Sequence, residues 1–365
     1  MVLQSLISIA LLVGATAPKT EVIEKRHPNG KPRLTREVRV DARGQETDHG
    51  KQTKYYSNGK PASEIHYVDG EKDGPWTEWY ESSVKSAQGT YRKGIKQGLE
   101  IRYMPDESKY MEVNFLDGLR HGKRTEWQGV NLKSREVEYD HGSLQGVLTE
   151  WYSNGQQRLE QHYDEGKKNG LEQRWSDTGQ KLYEVHYVHG LKDGPFLEWY
   201  PDGQEKVTVS YRENHAEGKF SSWFASGRQK SVGEFSDGKR KGVWQEWFDD
   251  ENKTKAAELQ FDDQGEPHGM QAYWHPNGQK HLEMTYRNGQ RQGAWADWYD
   301  DGQQRAVGRY LDNNPEGEAR YFFHDGNRWM IQNYRKGEKH GTWTEWDEEG
   351  KIVSQRKFDR GVEVN

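Results

Sequence analysis

The sequence predicts an all-β fold: an elongated single sheet of stacked antiparallel β-hairpins, with about 13 repeats of 24 residues. Three observations predict it. Glycines recur at a fixed spacing, an aromatic residue follows each of them at a fixed distance, and apolar and polar residues alternate between the turns. A period of two is typical of strands that bury one face, and regular repetition of one hairpin is typical of stacked arrays.

The glycine period covers most of the 365 residues. Eleven of the twelve steps are 24 residues long, and one, from Gly242 to Gly269, is 27. We call these thirteen residues the repeat glycines: Gly50, Gly74, Gly98, Gly122, Gly146, Gly170, Gly194, Gly218, Gly242, Gly269, Gly293, Gly317 and Gly341.

Two rows of aromatic residues follow the same period. The main aromatic row stands five residues after each repeat glycine: Tyr55, Trp79, Tyr103, Trp127, Trp151, Trp175, Trp199, Trp223, Trp247, Trp274, Trp298, Phe322 and Trp346. The second aromatic row stands near the end of each repeat: Tyr67, Tyr91, Phe115, Tyr139, Tyr163, Tyr187, Tyr211, Phe235, Phe261, Tyr286, Tyr310, Tyr334 and Phe358.

Each repeat contains two turn positions. The mid-repeat turn carries Asn-Gly or Asp-Gly pairs such as Asn58-Gly59, which predict a tight hairpin with positive φ at both residues. The linking turn, four residues before the next repeat glycine, has glycine in eleven repeats and Asn214 or Asn313 in the other two. Asn tolerates the left-handed region best among the non-glycine residues, so positive φ is predicted there too.

The segments between turns are predicted to be strands, because residues such as Val207, Val209 and Tyr211 alternate with polar ones. A Gly-x-x-x-Gly segment is predicted to link each hairpin to the next. Residues 18–49 are interpreted as a degenerate first repeat and N-terminal cap. Residues 50–365 form the array, with the longer repeat at 242–268.

Residues 1–17 are interpreted as a signal peptide, because the apolar run Leu6–Ala15 is too short to span a bilayer and ends in small residues. An exported protein (periplasmic, cell-envelope or extracellular) is therefore expected, and a cytoplasmic protein whose N-terminal strand is apolar is the alternative. The rest of the sequence predicts no transmembrane segment.

Composition excludes several classes of function. The formal net charge of −6 offers no basic surface for nucleic acid, and the absence of cysteine removes thiolate chemistry. Of the residues, 31% are hydrophobic and 12% aromatic, which predicts a thin core of rings. The sequence contains no nucleophile elbow and no phosphate-binding loop. We therefore predict no catalytic residues, no cofactor and no metal site.

Three strings of residues resemble a known family: YVDGEKDGPWTEWY at 67–80, YVHGLKDGPFLEWY at 187–200 and YRKGEKHGTWTEW at 334–346. They resemble the variant repeat of the MORN family (membrane occupation and recognition nexus), over about residues 50–365. The resemblance implies a repeat scaffold without catalytic residues. It also implies an antitoxin of the YwqK-like type, because many bacterial chains with this variant are classed so.

The candidate partner surface is a third aromatic row two residues after the repeat glycine. Strand alternation puts this row on the face opposite the main aromatic row, and exposed Trp and Phe suit interfaces. The alternative is that neighbouring elements cover both faces. The candidate residues are Trp76, Phe196, Phe220, Trp244, Trp295 and Trp343.

Two charged registers are interpreted as solvent-facing. An acidic register one residue before the main aromatic row is interrupted by Arg102 and Arg174, which favours local ion pairs over a binding stripe. Histidines such as His121 and His340 precede repeat glycines. Equivalent residues of successive hairpins would lie about 9.6 Å apart, which is too far for shared metal coordination.

The predicted function is a non-enzymatic scaffold for protein–protein or cell-envelope interactions along an extended surface. One alternative is an antitoxin-like protein that neutralises a toxin by direct binding. Another is carbohydrate or cell-wall binding through the aromatic rows. A protein partner is expected, and a cell-envelope component or a glycan is a further possibility.

Overall fold

A computed structural model describes residues 19–364. This range contains 31 strands and no helix, and the strands belong to one open antiparallel sheet, so the predicted fold class is confirmed. The chain divides into two compact bodies, Met1–Lys167 and Lys168–Asn365. The predicted signal peptide lies outside the described residues. Within them no helix is long and apolar enough to cross a membrane.

The strands of the N-terminal body are β1 Lys19–Arg26, β2 Pro32–Val40, β3 Glu46–Tyr55, β4 Pro61–Val68, β5 Glu71–Trp79, β6 Lys85–Arg92, β7 Ile95–Tyr103, β8 Lys109–Leu116, β9 Leu119–Trp127, β10 Lys133–Asp140, β11 Ser143–Trp151 and β12 Gln157–Asp164. Each strand pairs antiparallel with the one that follows it in sequence. Residues 19–49 therefore lie in strands β1, β2 and the start of β3.

The C-terminal body contains β13 Lys167–Trp175, β14 Lys181–Val188, β15 Leu191–Trp199, β16 Glu205–Arg212, β17 His215–Trp223, β18 Gln229–Ser236, β19 Lys239–Trp247, β20 Lys255–Phe261, β21 Gly269–Trp274, β22 Lys280–Arg287, β23 Gln290–Trp298, β24 Gln304–Leu311, β25 Asn314–Pro315, β26 Gly317–Phe322, β27 Arg328–Arg335, β28 Glu338–Lys339, β29 Gly341–Trp346, β30 Ile352–Asp359 and β31 Val362–Val364. Neighbour pairing continues here, with β24 bound to both β25 and β26 and β27 to both β28 and β29.

The mid-repeat turn has one left-handed residue, so the prediction of two is wrong. Gly59 has φ 86°, whereas Asn58 is not among the positive-φ residues. Gly59 N donates to Tyr56 O at 2.9 Å, as in a type I turn that a glycine completes. Asn58 contributes through its side chain instead, because its Oδ1 accepts from Lys60 N at 2.9 Å.

The linking turn is where two successive residues have positive φ. Asp69 and Gly70 have φ 49° and 87°, and Val68 pairs with Glu71 across them, as in a two-residue type I′ hairpin. Asn214 and Asn313 have φ 71° and 65°, which confirms the prediction made from their substitution for glycine.

Ten of the repeat glycines lie inside strands and the other three begin one, so the predicted Gly-x-x-x-Gly link is wrong. Strand β5 starts at Glu71 and contains Gly74, whose φ is 113°. Ile65 pairs with Trp76 and Tyr67 with Lys72, so three residues of β5 lie opposite the single residue between Ile65 and Tyr67. The glycine therefore forms a β-bulge, a feature that often requires a left-handed glycine.

Substituting Gly98 with alanine tests this requirement. Gly98 has φ 71° and open space around its Cα, so only the backbone conformation opposes a side chain. We expect Gly98→Ala to lower the free energy of unfolding by about 1–2 kcal/mol in urea titrations. Gly129 has equally open space without positive φ, so Gly129→Ala is the control. Equal stability of the two variants would contradict the bulge requirement.

Candidate functional surfaces

The candidate partner surface lies on a face that its own neighbours cover. Trp76, Trp244 and Trp343 are only 6%, 1% and 9% exposed, and Phe196, Phe220 and Trp295 are half-buried. The second aromatic row packs on them from the same face, for example Phe235 on Trp244 with centroids 4.9 Å apart. We call this side the packed face. Three of the six candidate residues are therefore buried, whereas the other three keep part of their surface exposed, and partner binding by this row stays a prediction.

Trp244 is the most buried aromatic residue of the packed face, at 1% exposed. Its ring packs with Ala257 and Leu259, and its Nε1 donates to Glu234 O at 3.1 Å. A Cβ on Gly233 would lie 2.2 Å from the indole, so only glycine permits this approach. Gly89 and Gly308 face Trp76 and Trp295 in the same way. These glycines lie outside the turn registers, and the sequence analysis did not explain them.

Cations complete the packed face. A Lys or Arg two residues before the repeat glycine lies over a ring of the second aromatic row, with the charged group 4.2–5.7 Å from the centroid. Their alkyl stems shield the rings while the charge stays near water. The cations are Lys72, Lys96, Arg120, Lys168, Lys192, Arg240, Arg291 and Lys339.

The main aromatic row occupies the opposite face, and all thirteen rings are half-buried. Lysines lie over four of them, for example Lys181 with its Nζ 5.7 Å from the centroid of Trp199. The same lysine forms an ion pair with Glu184 at 2.8 Å, and this hydrogen bond lowers the pKa of Glu184. The four pairs are Lys133–Trp151, Lys181–Trp199, Lys255–Trp274 and Lys280–Trp298.

Each arginine that interrupts the acidic register forms an ion pair with a buried glutamate two residues before it. Glu100, two residues before Arg102, is only 3% exposed. It occupies the position that Trp76 occupies in the preceding repeat. Arg102 Nε donates to Glu100 at 2.8 Å and Lys96 Nζ donates at 2.5 Å. Glu172 and Arg174 repeat this arrangement.

Hydrogen bonds join successive repeats at both ends of the strands. At the mid-repeat turns, Tyr56 and Tyr80 donate to the carbonyl of the next main-row residue, at 2.6 and 2.8 Å. At the linking turns, Gln97 and Gln145 accept from the backbone N–H twenty residues later, both at 3.0 Å. Sequence reasoning missed both sets, although Tyr directly after a main-row residue was a visible signal.

The 27-residue repeat widens a mid-repeat turn and opens a cleft on the opposite face. Trp247 and Lys255, the ends of its flanking strands, are eight residues apart, whereas Trp79 and Lys85 are six apart. The cleft lies between the main-row rings of Trp223 and Trp247. Its charged lining comes from Asp250 and Lys253 of the widened turn and from Arg228 of the preceding mid-repeat turn.

Among the described residues, one group of His and carboxylate side chains converges closely enough to hold a metal ion: His121, Asp140 and His141. Asp140 Oδ1 lies 3.2 Å from His121 Nδ1 and 2.6 Å from His141 Nδ1. A comparison of equivalent positions in successive hairpins does not predict this group, because its three residues occupy different positions of the repeat.

Four segments match the MORN repeat variant family: residues 48–69, 168–189, 267–288 and 339–359. The chain contains MORN-variant repeats. Each match begins two residues before a repeat glycine; three matches end at the first residue of the next linking turn and the fourth ends one residue before it, so one MORN segment corresponds to one hairpin. The resemblance seen in the sequence is confirmed, whereas nothing in the match concerns an antitoxin.

Other comparisons add no functional argument. No curated protein matches significantly. Among solved structures, "Crystal Structure of TcdB2-TccC3-Cdc42" matches 93% of this chain and 21% of its own, at 12% identity and TM-score 0.17. "Structure of Photorhabdus luminescens Tc holotoxin pore, Mutation TccC3-D651A" matches 93% and 23%, at 9% identity and TM-score 0.16. The chain spans about a fifth of the length of these solved chains.

The stability that Glu100 contributes should depend on pH. Burial opposes its charge, but hydrogen bonds from Lys96 and Arg102 outweigh this and lower its pKa. Its contribution is therefore present above the ordinary glutamate pKa of about 4.3 and is lost as the pH falls through the lowered value. We expect Glu100→Gln to cost about 1.5–3 kcal/mol at pH 7 and progressively less towards pH 3.

Urea unfolding of both proteins between pH 7 and pH 3 measures this difference. Glu107, in an exposed turn, is the control, and Glu107→Gln should change the unfolding free energy by less than about 0.5 kcal/mol. A difference between Glu100→Gln and wild type that stays constant with pH would show that ionisation of Glu100 does not contribute.

Proposed function

We propose that this MORN-variant chain is a non-enzymatic scaffold that binds a protein partner through the main aromatic row of the opposite face. One observation carries the proposal: all thirteen rings of that row are half-buried. Each repeat therefore offers part of an aromatic ring at the same register. Trp and Tyr contribute strongly to protein interfaces, and repeated contacts add avidity.

The lysines over the rings favour a protein over a glycan as the partner. A sugar stacks on the face of an aromatic ring, but Nζ groups of Lys133, Lys181, Lys255 and Lys280 lie over such faces, 5.3–5.8 Å from the centroids. A protein surface with carboxylates can engage the lysines and the ring edges together. The cleft between Trp223 and Trp247 provides a concave position for an anchoring side chain.

Neutralisation of a toxin is one form that such protein binding could take, and recognition of a cell-envelope component is another. The MORN match supports a scaffold in either case. We also propose that the protein is exported, because the apolar run Leu6–Ala15 has the pattern of a signal peptide.

Site-specific photo-crosslinking in the native host tests the partner surface. A photoreactive phenylalanine analogue replaces Trp199 on the opposite face, and the control replaces Val188, which is 46% exposed next to a linking turn. We expect one protein to crosslink at position 199 and not at 188, with unchanged circular dichroism in both variants. Crosslinks at 188 alone, or to wall polysaccharide at 199, would contradict the proposal.

N-terminal sequencing of the protein from fractionated host cells tests export. We expect a mature chain that begins after residues 15–17, recovered outside the cytoplasm. A cytoplasmic protein that retains residues 1–17 would contradict export and would favour the antitoxin-like alternative.

A further inference from the structure

The group His121, Asp140 and His141 is built by one linking turn and the strand beside it. His121 lies in β9, directly before Gly122, and Asp140 is the last residue of β10. His141 is the first residue of the linking turn, with φ 43°. Gly142 N donates to the carbonyl of Arg120 at 2.8 Å, which holds this turn against β9. Three side chains from β9, from β10 paired with it, and from the linking turn after β10 therefore meet at one end of a single hairpin.

The ligand atoms have spacings close to those of a metal site. All three lie within 4.8 Å of one another. Two ligands bound at 2.0–2.1 Å in tetrahedral geometry are about 3.3 Å apart, and Asp140 Oδ1 lies 3.2 Å from His121 Nδ1 and 2.6 Å from His141 Nδ1. The two imidazole centroids are 5.0 Å apart. Small rotations of exposed side chains would complete the geometry.

His121 differs from its equivalents in other repeats. Gln97, Gln145 and His49 accept a hydrogen bond from the backbone N–H twenty residues later, at 3.0, 3.0 and 3.3 Å. The Nδ1 atom of His121 is buried and forms no hydrogen bond, and its polar neighbour is Asp140 Oδ1 at 3.2 Å. A buried nitrogen without a hydrogen bond is costly, and coordination of a cation would satisfy it.

We propose that His121, Asp140 and His141 bind a divalent transition-metal cation of the zinc class. Two imidazoles and one carboxylate favour Zn²⁺ and its neighbours over Ca²⁺ or Mg²⁺, which prefer oxygen ligands. Water would occupy the remaining position, since the site lies at the surface. The cation would join β9 to the linking turn that follows β10, and the site is independent of the proposed partner surface.

The last complete repeat supplies a matched control. His340, Asp359 and Arg360 occupy the same three positions relative to their glycines, Gly341 and Gly361. His340 Nδ1 lies 3.4 Å from Asp359 Oδ1, so two of the three ligands are already in place. Arg360 has φ 49°, close to that of His141. Exchange between His and Arg at this position is therefore compatible with the turn.

Zinc titration by calorimetry of the full, tag-free chain, after treatment with a chelator, tests the proposal. We expect one Zn²⁺ per chain for wild type, and His141→Arg and His121→Ala to weaken binding at least about tenfold. Arg360→His should add a second equivalent. In addition, Zn²⁺ should raise the melting temperature of wild type and not of His141→Arg, because it binds only the folded site.

Two results would overturn the assignment. The first is the absence of saturable Zn²⁺ binding to wild type. The second is binding that survives both His141→Arg and His121→Ala but is lost in His281→Ala, because the rings of His275 and His281 lie 4.4 Å apart and form a competing pair. Circular dichroism of each variant verifies that the sheet is retained.

Discussion

The left-handed backbone of the repeat glycines is the constraint on which the rest of the structure depends. At nine of them the strand bulges so that three residues lie opposite one, as between β5 and β4 around Gly74. The bulge is followed by regular alternation, which sends Trp76 to the packed face and Trp79 to the opposite face. Because an L side chain disfavours this backbone, glycine occupies all thirteen positions while the residues around it vary.

The low hydrophobic content follows from how the two faces are covered. Each face buries aromatic rings under the stems of Lys or Arg, as Lys96 does over Phe115 and Lys181 over Trp199. A stem of methylene groups shields a ring almost as an aliphatic side chain would, while its charge remains hydrated. A thin core therefore suffices although only 31% of the residues of the chain are hydrophobic. Acids such as Glu184 form ion pairs with the same lysines.

Hydrogen bonds between successive repeats explain why a hairpin that is marginal alone persists in the array. Tyr80 ties a mid-repeat turn to the next strand, and Gln97 ties a β-strand to the next linking turn. The buried charge of Glu100 fits the same scheme, because Lys96 and Arg102 of the same strand provide its partners. The substitution of Glu for Trp at this position is thus compensated by charged residues of the same strand, which preserves the spacing of the repeats.

The sequence by itself determined the period, the strands, the positions of the turns and the family, because these depend on local spacing and backbone preference. It misjudged the mid-repeat turn, where the Asn58 side chain does what a second left-handed residue was expected to do. Only the tertiary structure decided which aromatic row is buried and that His121 meets His141. Both depend on contacts between side chains of neighbouring strands. The pairing and register of the strands set these contacts, and the repeat period alone does not predict them.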